Sequence, residues 1–355
     1  MLANVLLEAD PSDGVQLSAS NLELTISCRL AAAVSEGGRT TVPARLLADY
    51  VALLDRGKQV SLKLLSGGTR LHLACDRYEA NVATLPADDF PPTPAATENT
   101  PIEVDGAVFK TAIEQVVFAA APDESRPVLA AVLLRLEAGL LTLVAADGYR
   151  LAVRTVAMPH AIGTATWLAP ARTLVEVARC LPAAPGLPIT LSGSDGDRQL
   201  HVALGRTEVT SRLSEGHFPD YQRIMPSGGT TTAIVSTADF LRATRAASLF
   251  ARDNSNIVRL QCTPPKPGEI ALGRVLVRSN SAEMGDNESH LEARVDGQEV
   301  HVAFNGRYLR DALEAIGPAQ VRLELTHAGA PGLIRPVDAA DAGHAHVIMP
   351  MSATR

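Results

Sequence analysis

The chain has 355 residues, 46% of them hydrophobic and 20% charged, with a net charge of -7. At about 150 residues per domain this length gives two or three domains, and the composition is that of a globular chain, which excludes disordered and collagen-like classes. The acidic balance excludes a body coated in basic surface, while leaving room for one basic face.

In chain order, Val5-Leu6-Leu7 reads as a buried strand and Pro43 as a helix start, because a fixed φ and a missing N-H cost little there. Leu47, Tyr50, Val51 and Leu54 follow at helical spacing. Val60 to Leu65 and Leu71 to Cys75 read as strands, and Pro92 to Pro101 as a linker. A helix with Phe109, Ile113, Val116, Val117 and Ala120 on one face precedes the strand Val132-Leu133-Leu134. Asp147-Gly148 makes a tight turn before Tyr149 and Arg150. Pro170 opens a helix carrying Leu174, Ala178 and Leu181, followed by strands at Ile189 to Ser192 and His201 to Leu204. Ser192 to Asp197 is oxygen-rich but lacks the EF-hand spacing, so it reads as a hairpin turn. After a linker at Ser227 to Thr232 come two helices, with Phe240, Leu241, Thr244 and Ala247 on one and Leu309, Ala312, Leu313 and Ile316 on the other.

These elements repeat. Val5-Leu6-Leu7 returns as Val132-Leu133-Leu134, Pro43-Ala44-Arg45-x-Leu47 as Pro170-Ala171-Arg172-x-Leu174, and Leu85 with Phe90-Pro91 as Leu213 with Phe218-Pro219. A fainter third copy opens its helix at Phe304-Asn305-Gly306-Arg307 and closes at Ile348-Met349-Pro350. Runs of strands with interspersed helices predict an α+β fold of three domains of one topology. The second copy carries about thirty residues, one strand and one helix, ahead of its Val-Leu-Leu strand, whereas the first has four, so the first domain is expected to start late.

No nucleotide-binding loop and no His-Glu-x-x-His occurs, so no catalytic residue and no cofactor is expected. Cys28, Cys75, Cys180 and Cys262 lie far apart, which suggests neither a zinc ribbon nor a disulfide framework and fits a reducing compartment. The longest apolar run, Val128 to Leu134, is far short of the roughly 20 residues of a membrane helix, and the N-terminus lacks a basic-then-apolar leader. No membrane partner is expected. His344 and His346 share a strand face, where no carboxylate or cysteine completes a metal site, so no metal is assigned. Lys110, Arg172, Arg179, Arg242 and Arg245 occupy polar helix faces. In an acidic protein they form either solvated faces or a positive lining that holds phosphates without reading sequence.

Thr41-Val42-Pro43-Ala44-Arg45, Thr84-Leu85-Pro86-Ala87-Asp88-Asp89-Phe90-Pro91, Asp123-Glu124-Ser125-Arg126-Pro127-Val128-Leu129, Ala145-Ala146-Asp147-Gly148-Tyr149-Arg150-Leu151-Ala152, Phe218-Pro219-Asp220-Tyr221 and Met349-Pro350-Met351 span the chain. In this order they resemble the bacterial DNA polymerase III beta subunit family, the sliding clamps. The resemblance implies three clamp domains, at 1–95, 101–226 and 231–355, with helices lining a central hole and sheets outside. It implies a cytoplasmic, non-catalytic processivity factor that encircles double-stranded DNA as a head-to-tail homodimer. Polymerase III alpha subunit, clamp loader and other clamp-binding-motif proteins are the implied partners.

By the same resemblance, a partner-peptide pocket comprises Leu129, Gly148, Tyr149, Arg150, Leu151, Pro219, Arg223, Ile224, Val347, Met349, Pro350 and Met351. Arg45, Lys110, Arg126, Arg172, Arg179, Arg242 and Arg245 are the expected DNA-facing cations, and Leu249 and Phe250 the expected dimer contacts. Ala146 stands where the family usually has Thr, Tyr149 where it has His, and the tail runs past Met351 through Ser-Ala-Thr-Arg. The late start corresponds to about thirty residues of the family's first domain. The alternative reading is a non-ring peptide-binding scaffold or truncated clamp paralogue.

Overall fold

The structure, a computed structural model, describes residues 2–92, 101–123, 125–158, 163–194, 198–252, 255–266, 272–317, 320–338 and 343–352. The first repeat comprises β1 (Asn4–Asp10), β2 (Gly14–Ser20), β3 (Leu24–Leu30), β4 (Gly38–Pro43), α1 (Ala44–Ala52), β5 (Ser61–Leu64), β6 (Arg70–Cys75) and β7 (Tyr78–Ala83). The second opens with β8 (Ile102–Asp105) and α2 (Gly106–Glu114). It continues through β9 (Ala131–Glu137), β10 (Leu140–Ala146), β11 (Arg150–Ala157), β12 (Ala165–Pro170), α3 (Ala171–Cys180), β13 (Pro188–Ser194), β14 (Gln199–Leu204) and β15 (Thr207–Arg212). The third follows the same order as β16 (Thr231–Ser236), α4 (Thr237–Ala251), β17 (Ile257–Thr263), β18 (Gly273–Ser281), β19 (Gly285–Asp296) and β20 (Val300–Asn305). It ends with α5 (Gly306–Ile316), β21 (Gln320–Leu325), β22 (Gly332–Pro336) and β23 (His344–Ile348). The expected linker at Pro92 to Pro101 and the tip of the Ser192 to Asp197 turn lie largely outside the described residues, though Ser194 pairs with Gln199 as a hairpin requires.

Two compact units form, Met1–Gly106 with Cys180–Leu213, and Ala107–Arg179 with Ser214–Arg355. The first unit holds an eight-stranded sheet, β4-β1-β2-β3-β15-β14-β13-β8, and a three-stranded sheet, β5-β6-β7. The second holds one sheet of twelve, β12-β9-β10-β11-β23-β22-β21-β16-β19-β18-β17-β20. The construction rule is the same in both. The last strand of one repeat joins, antiparallel, the last strand of the first half of the repeat before it. Thus β15 pairs with β3 (Val209 opposite Ile26) and β23 with β11 (His346 opposite Ala152). Among the described residues no helix is long and apolar enough to cross a membrane.

The helices follow the predicted stripes, with two main differences besides Leu181, which is buried but lies one residue beyond the end of α3. The Phe109 to Ala120 face is not one helix: α2 ends at Glu114, and Val117–Ala119 forms a 3-10 turn after Val116 adopts φ -125°. Two consecutive β-branched valines disfavour further α-helix, yet Phe109, Ile113 and Val116 are all fully buried. The second difference is α1. Val51, expected on the apolar stripe, is exposed, and Leu54 lies beyond the helix end. Leu47 and Tyr50 pack only partly against the core of Leu7, Val42, Leu71, Leu73 and Val82. In the third repeat α4 packs on α5, burying Phe240, Ala247, Leu309 and Leu313. Among the described residues of the first repeat no second helix accompanies α1, and β5 is exposed along its whole length.

Leu313→Ala in α5 or Leu174→Ala in α3 should therefore cost about 2–5 kcal/mol in urea unfolding. Leu46→Lys or Leu53→Lys, at sites 51% and 79% exposed, should stay within about 0.5 kcal/mol. A clear loss of stability from the α1 variants would show that this face is covered in solution.

Candidate functional site

The hairpin joining β10 to β11 and the chain leaving β23 meet in the second unit, and this junction gathers most of the expected pocket residues. Asp147 shapes the hairpin: its Oδ1 accepts from the Tyr149 and Arg150 amides at 2.8 and 3.0 Å. Gly148 at φ +93° supplies the left-handed backbone that a side chain would strain. The result turns Tyr149 outward, 64% exposed, and Arg150 inward. The Met349 amide donates to the Tyr149 carbonyl at 2.9 Å, continuing the β11·β23 pairing one step past the strand end. The Met351 amide donates to the Ala303 carbonyl at 2.8 Å, which ties the C-terminal segment to the edge of β20.

The expected pocket residues fall into three layers. Leu151 and Val347 are buried, packed with Ala131, Leu133, Val144 and Leu333 in a core that also holds Phe218 and Tyr221, so they are floor and not surface. Leu129, Pro350 and Met351 are half-buried. Tyr149, Pro219, Arg223, Ile224 and Met349 are exposed, with Gly148 beside them. Apolar walls carrying a Met and an aromatic ring with a free face suit a shallow recognition groove.

Arg150 is not a free polar anchor. Its Nε lies 3.0 Å from Asp147 Oδ2, its Nη1 2.7 Å from Asp311 Oδ2 on α5, and its Nη2 donates to the Phe118 carbonyl. The guanidinium also lies over the Tyr308 ring at 4.5 Å and the Phe118 ring at 5.3 Å. Charge-assisted hydrogen bonds and stacking at a side chain 13% exposed make it a brace beneath the groove. Burial, followed by the Asp147 carboxylate, pushes the Tyr308 phenol above its ordinary range.

Sequence reasoning missed Phe118, Tyr308 and Asp311, which reach Arg150 from distant segments. It also missed a cavity of about 640 Å³ beside the C-terminal segment, where Arg259, Gln261, Arg278 and His301 meet Pro350, Met351 and Ser352. The remaining tail residues lie outside the described residues. His344 and His346 are not an ordinary strand face, since both are buried. Among the described residues no cluster of three or more potential metal ligands occurs.

The expected DNA-facing cations are distributed unevenly. Arg45 on α1 is almost fully exposed and 3.7 Å from Asp49, Lys110 on α2 is half-buried, and Arg126 is exposed ahead of β9. Arg172 and Arg179 are exposed on α3, with Arg179 2.7 Å from Glu176. Arg242 faces Asp239 at 3.7 Å, and Arg245 faces Glu314 of α5 at 2.9 Å. A pocket of about 450 Å³ between α4 and α5 gathers Arg245, Arg252, Arg307 and Arg310 around Glu314. Neither Arg252 nor Arg307 has an acidic partner among the described residues. Only Arg245 of this group was foreseen, because the others come from two helices that share no sequence motif. Leu249, 53% exposed, lies on the rim of this pocket, and Phe250 is half-buried.

Three family models match the chain in succession: the DNA polymerase III beta subunit N-terminal domain over residues 1–94, its central domain over 103–220 and its C-terminal domain over 222–352. The chain is similar to a beta sliding clamp of Streptomyces coelicolor, 32% identical over 362 residues, covering 99% of this chain and 92% of that protein. Among solved structures it is similar to the DNA polymerase sliding clamp of Bacillus subtilis, with a TM-score of 0.89, 26% identity, and coverage of 99% of this chain and 91% of that one. A sliding clamp from Pseudomonas aeruginosa bound to griselimycin gives the same TM-score and identity, at 99% and 91% coverage.

Arg150→Ala should cost about 3–5 kcal/mol in chemical unfolding, because it strips the largely buried Asp147 carboxylate of its cation and leaves Asp311 with Arg310 alone. Arg223→Ala, whose side chain is 86% exposed, should leave stability within about 0.5 kcal/mol. Equal effects would show that Arg150 is not a brace.

Proposed function

This chain belongs to the DNA polymerase III beta subunit family, and we propose that it closes into its ring through two strand edges that its own fold leaves unpaired. It is a sliding clamp, a ring-shaped and non-catalytic processivity factor of DNA replication. The observation that carries the closure is the construction rule of the sheets. β3 of repeat one takes β15 of repeat two, and β11 of repeat two takes β23 of repeat three. The next member of the series is β19 of repeat three. Among the described residues its edge over Gly285 to Ala293 has no partner, since β16 reaches only Arg294 to Asp296. β7 of repeat one likewise pairs only with β6. A head-to-tail contact of β19 on one protomer with β7 of a second satisfies both rows of backbone groups and, applied twice, closes a homodimer. Leu249 and Phe250 at the end of α4 are then the apolar contacts of that junction. For this assembly we infer domain divisions at 1–95, 101–226 and 231–355.

The clamp acts in the cytoplasm and binds DNA without sequence preference. The arginines of α4 and α5, with Arg45, Lys110, Arg126, Arg172 and Arg179, face the encircled duplex. Arg242 and Arg245 are already partly compensated by Asp239 and Glu314, so their contacts to phosphates are weak and exchangeable, which suits a ring that must slide. The groove of Tyr149, Ile224, Met349, Pro350 and Met351 over Leu151 and Val347 takes short peptides with apolar anchors. Polymerase III alpha subunit, the clamp loader and other clamp-binding-motif proteins are its users.

A second reading, a peptide-binding scaffold that does not close, is favoured by one observation: α1 buries none of its residues and β5 is wholly exposed, so the first repeat is thinly supported. Native mass separates the two, with a species near twice 37.4 kDa for the ring and a monomer for the scaffold. The ring, once loaded, should remain on nicked circular duplex and leave when the circle is linearised. Equal retention on circular and linear DNA would refute encirclement. Leu249→Asp should shift the equilibrium toward monomer in sedimentation, and Arg307→Glu with Arg252→Glu should flatten the salt dependence of duplex binding by about two phosphate contacts per protomer.

A further inference from the structure

His344 and His346 lie two residues apart on one face of β23, the strand that delivers Met349 to Met351 to the groove. Both are buried, at 0% and 1% exposure. Their Nε2 atoms are 2.7 Å apart and their rings meet edge to face at 4.6 Å. An N-H···N bond needs one ring to donate and the other to accept on a bare lone pair, so the accepting nitrogen cannot be protonated while the bond exists.

The surroundings oppose any added charge. On β11 the register sets Ala152 opposite His346 and Arg154 opposite His344, with Arg150 opposite Ile348, so two guanidinium-bearing residues flank the pair on one strand. On the other side β22 presents Ile334 opposite His346, while Arg335 alternates to the other face. The Phe118 ring lies 5.6 Å from His346. Two carboxylates of this region, Asp147 and Asp311, are engaged with Arg150, and Tyr308 of α5 stacks on the same guanidinium. Burial first, then His344 and Arg150, hold the His346 imidazole well below its ordinary value.

We propose that His344 and His346 form a positioning pair for the partner groove: the neutral pair keeps β23 seated against β11, so that Met349 and Met351 stay bonded to Tyr149 and Ala303, and proton uptake releases that seat. The inference rests on the groove reading above and adds to it a residue pair that touches no peptide. The sign follows from the depressed value. An unseated His346 takes up a proton near about pH 6.5 and the seated one does not, so the seat is at full strength above that pH and weakens below it.

The test uses the full chain and a labelled Gln-Leu-Ser-Leu-Phe peptide. Between about pH 7.5 and about pH 5.5 the peptide Kd of the unmodified protein should rise about tenfold, while a His344→Gln/His346→Gln double variant, whose amides still pair but do not titrate, should change less than about threefold. Parallel pH profiles in the two folded proteins overturn the proposal. Hydrogen exchange at the Met349 amide, corrected for its intrinsic pH dependence, should accelerate on acidification in the unmodified protein, and an unchanged corrected rate there also overturns it. Should the double variant fail to fold, imidazole nitrogen spectra of the unmodified protein decide: the shared Nε2 proton must disappear over the pH range in which Kd rises, and its persistence refutes the coupling. If the peptide does not bind even at about pH 7.5, the groove reading fails, and the Met349 exchange decides the positioning role by itself.

Discussion

A strand at the edge of a sheet carries a row of N-H and C=O groups that either find a partner or invite one. Each repeat here produces such an edge at the last strand of its first half, and each of the first two edges is met by the last strand of the next repeat. The consequences reach well beyond the sheets. Because β15 belongs to β3 and β23 to β11, no repeat completes its own sheet, and a compact unit is assembled from pieces of consecutive repeats. The same arrangement leaves β19 and β7 as complementary ends of the series. An antiparallel junction made twice within the chain would serve equally, in the proposed ring, as the junction between chains.

The groove depends on the second of these seams. Pairing of β23 with β11 brings Val347 opposite Leu151 and carries the chain on until the Met349 amide reaches the Tyr149 carbonyl. Below the seam the structure is stiff, with Arg150 held by two carboxylates, a carbonyl and two rings. Above it stand Tyr149, Ile224 and Met349, side chains with few constraints and large apolar area. For the proposed peptide-binding role, a rigid floor would lower the ordering cost of binding, and an unbranched thioether at the rim would let one groove fit several apolar sequences. Stiffness and adaptability are thus divided between the two sides of a single hairpin by the left-handed turn at Gly148.

Local patterns were legible in the sequence and meetings between distant segments were not. The repeat, the helices after Pro43 and Pro170, and the Asp147-Gly148 turn are read from neighbouring residues, since period and turn chemistry are local properties. The role of Arg150 is different. Its partners Phe118 and Asp311 lie 32 and 161 residues away, and nothing in the spacing of a lone Arg after a turn distinguishes a brace from a surface anchor. Val51 shows the converse error: its helical spacing is apolar, but a stripe is buried only where something packs against it. His344 and His346 were legible as a shared strand face, whereas their burial follows from β23 lying between β11 and β22, which is a tertiary fact.

Charge placement resolves how an acidic chain serves a polyanion. The net charge of -7 sets the far field and discourages indiscriminate adhesion. Locally, four arginines converge between α4 and α5, and Glu314 binds two of them, Arg245 at 2.9 Å and Arg310 at 3.8 Å. Such exposed pairs contribute little to stability, of the order of 0–1 kcal/mol, so an approaching phosphate can replace the carboxylate as partner with little net change. Under the proposed DNA contacts, each would therefore be easily exchanged for the next phosphate along the duplex. A ring closed through backbone pairing, as proposed, would need no stronger hold, because topology would retain the DNA while interchangeable ion pairs left it free to move.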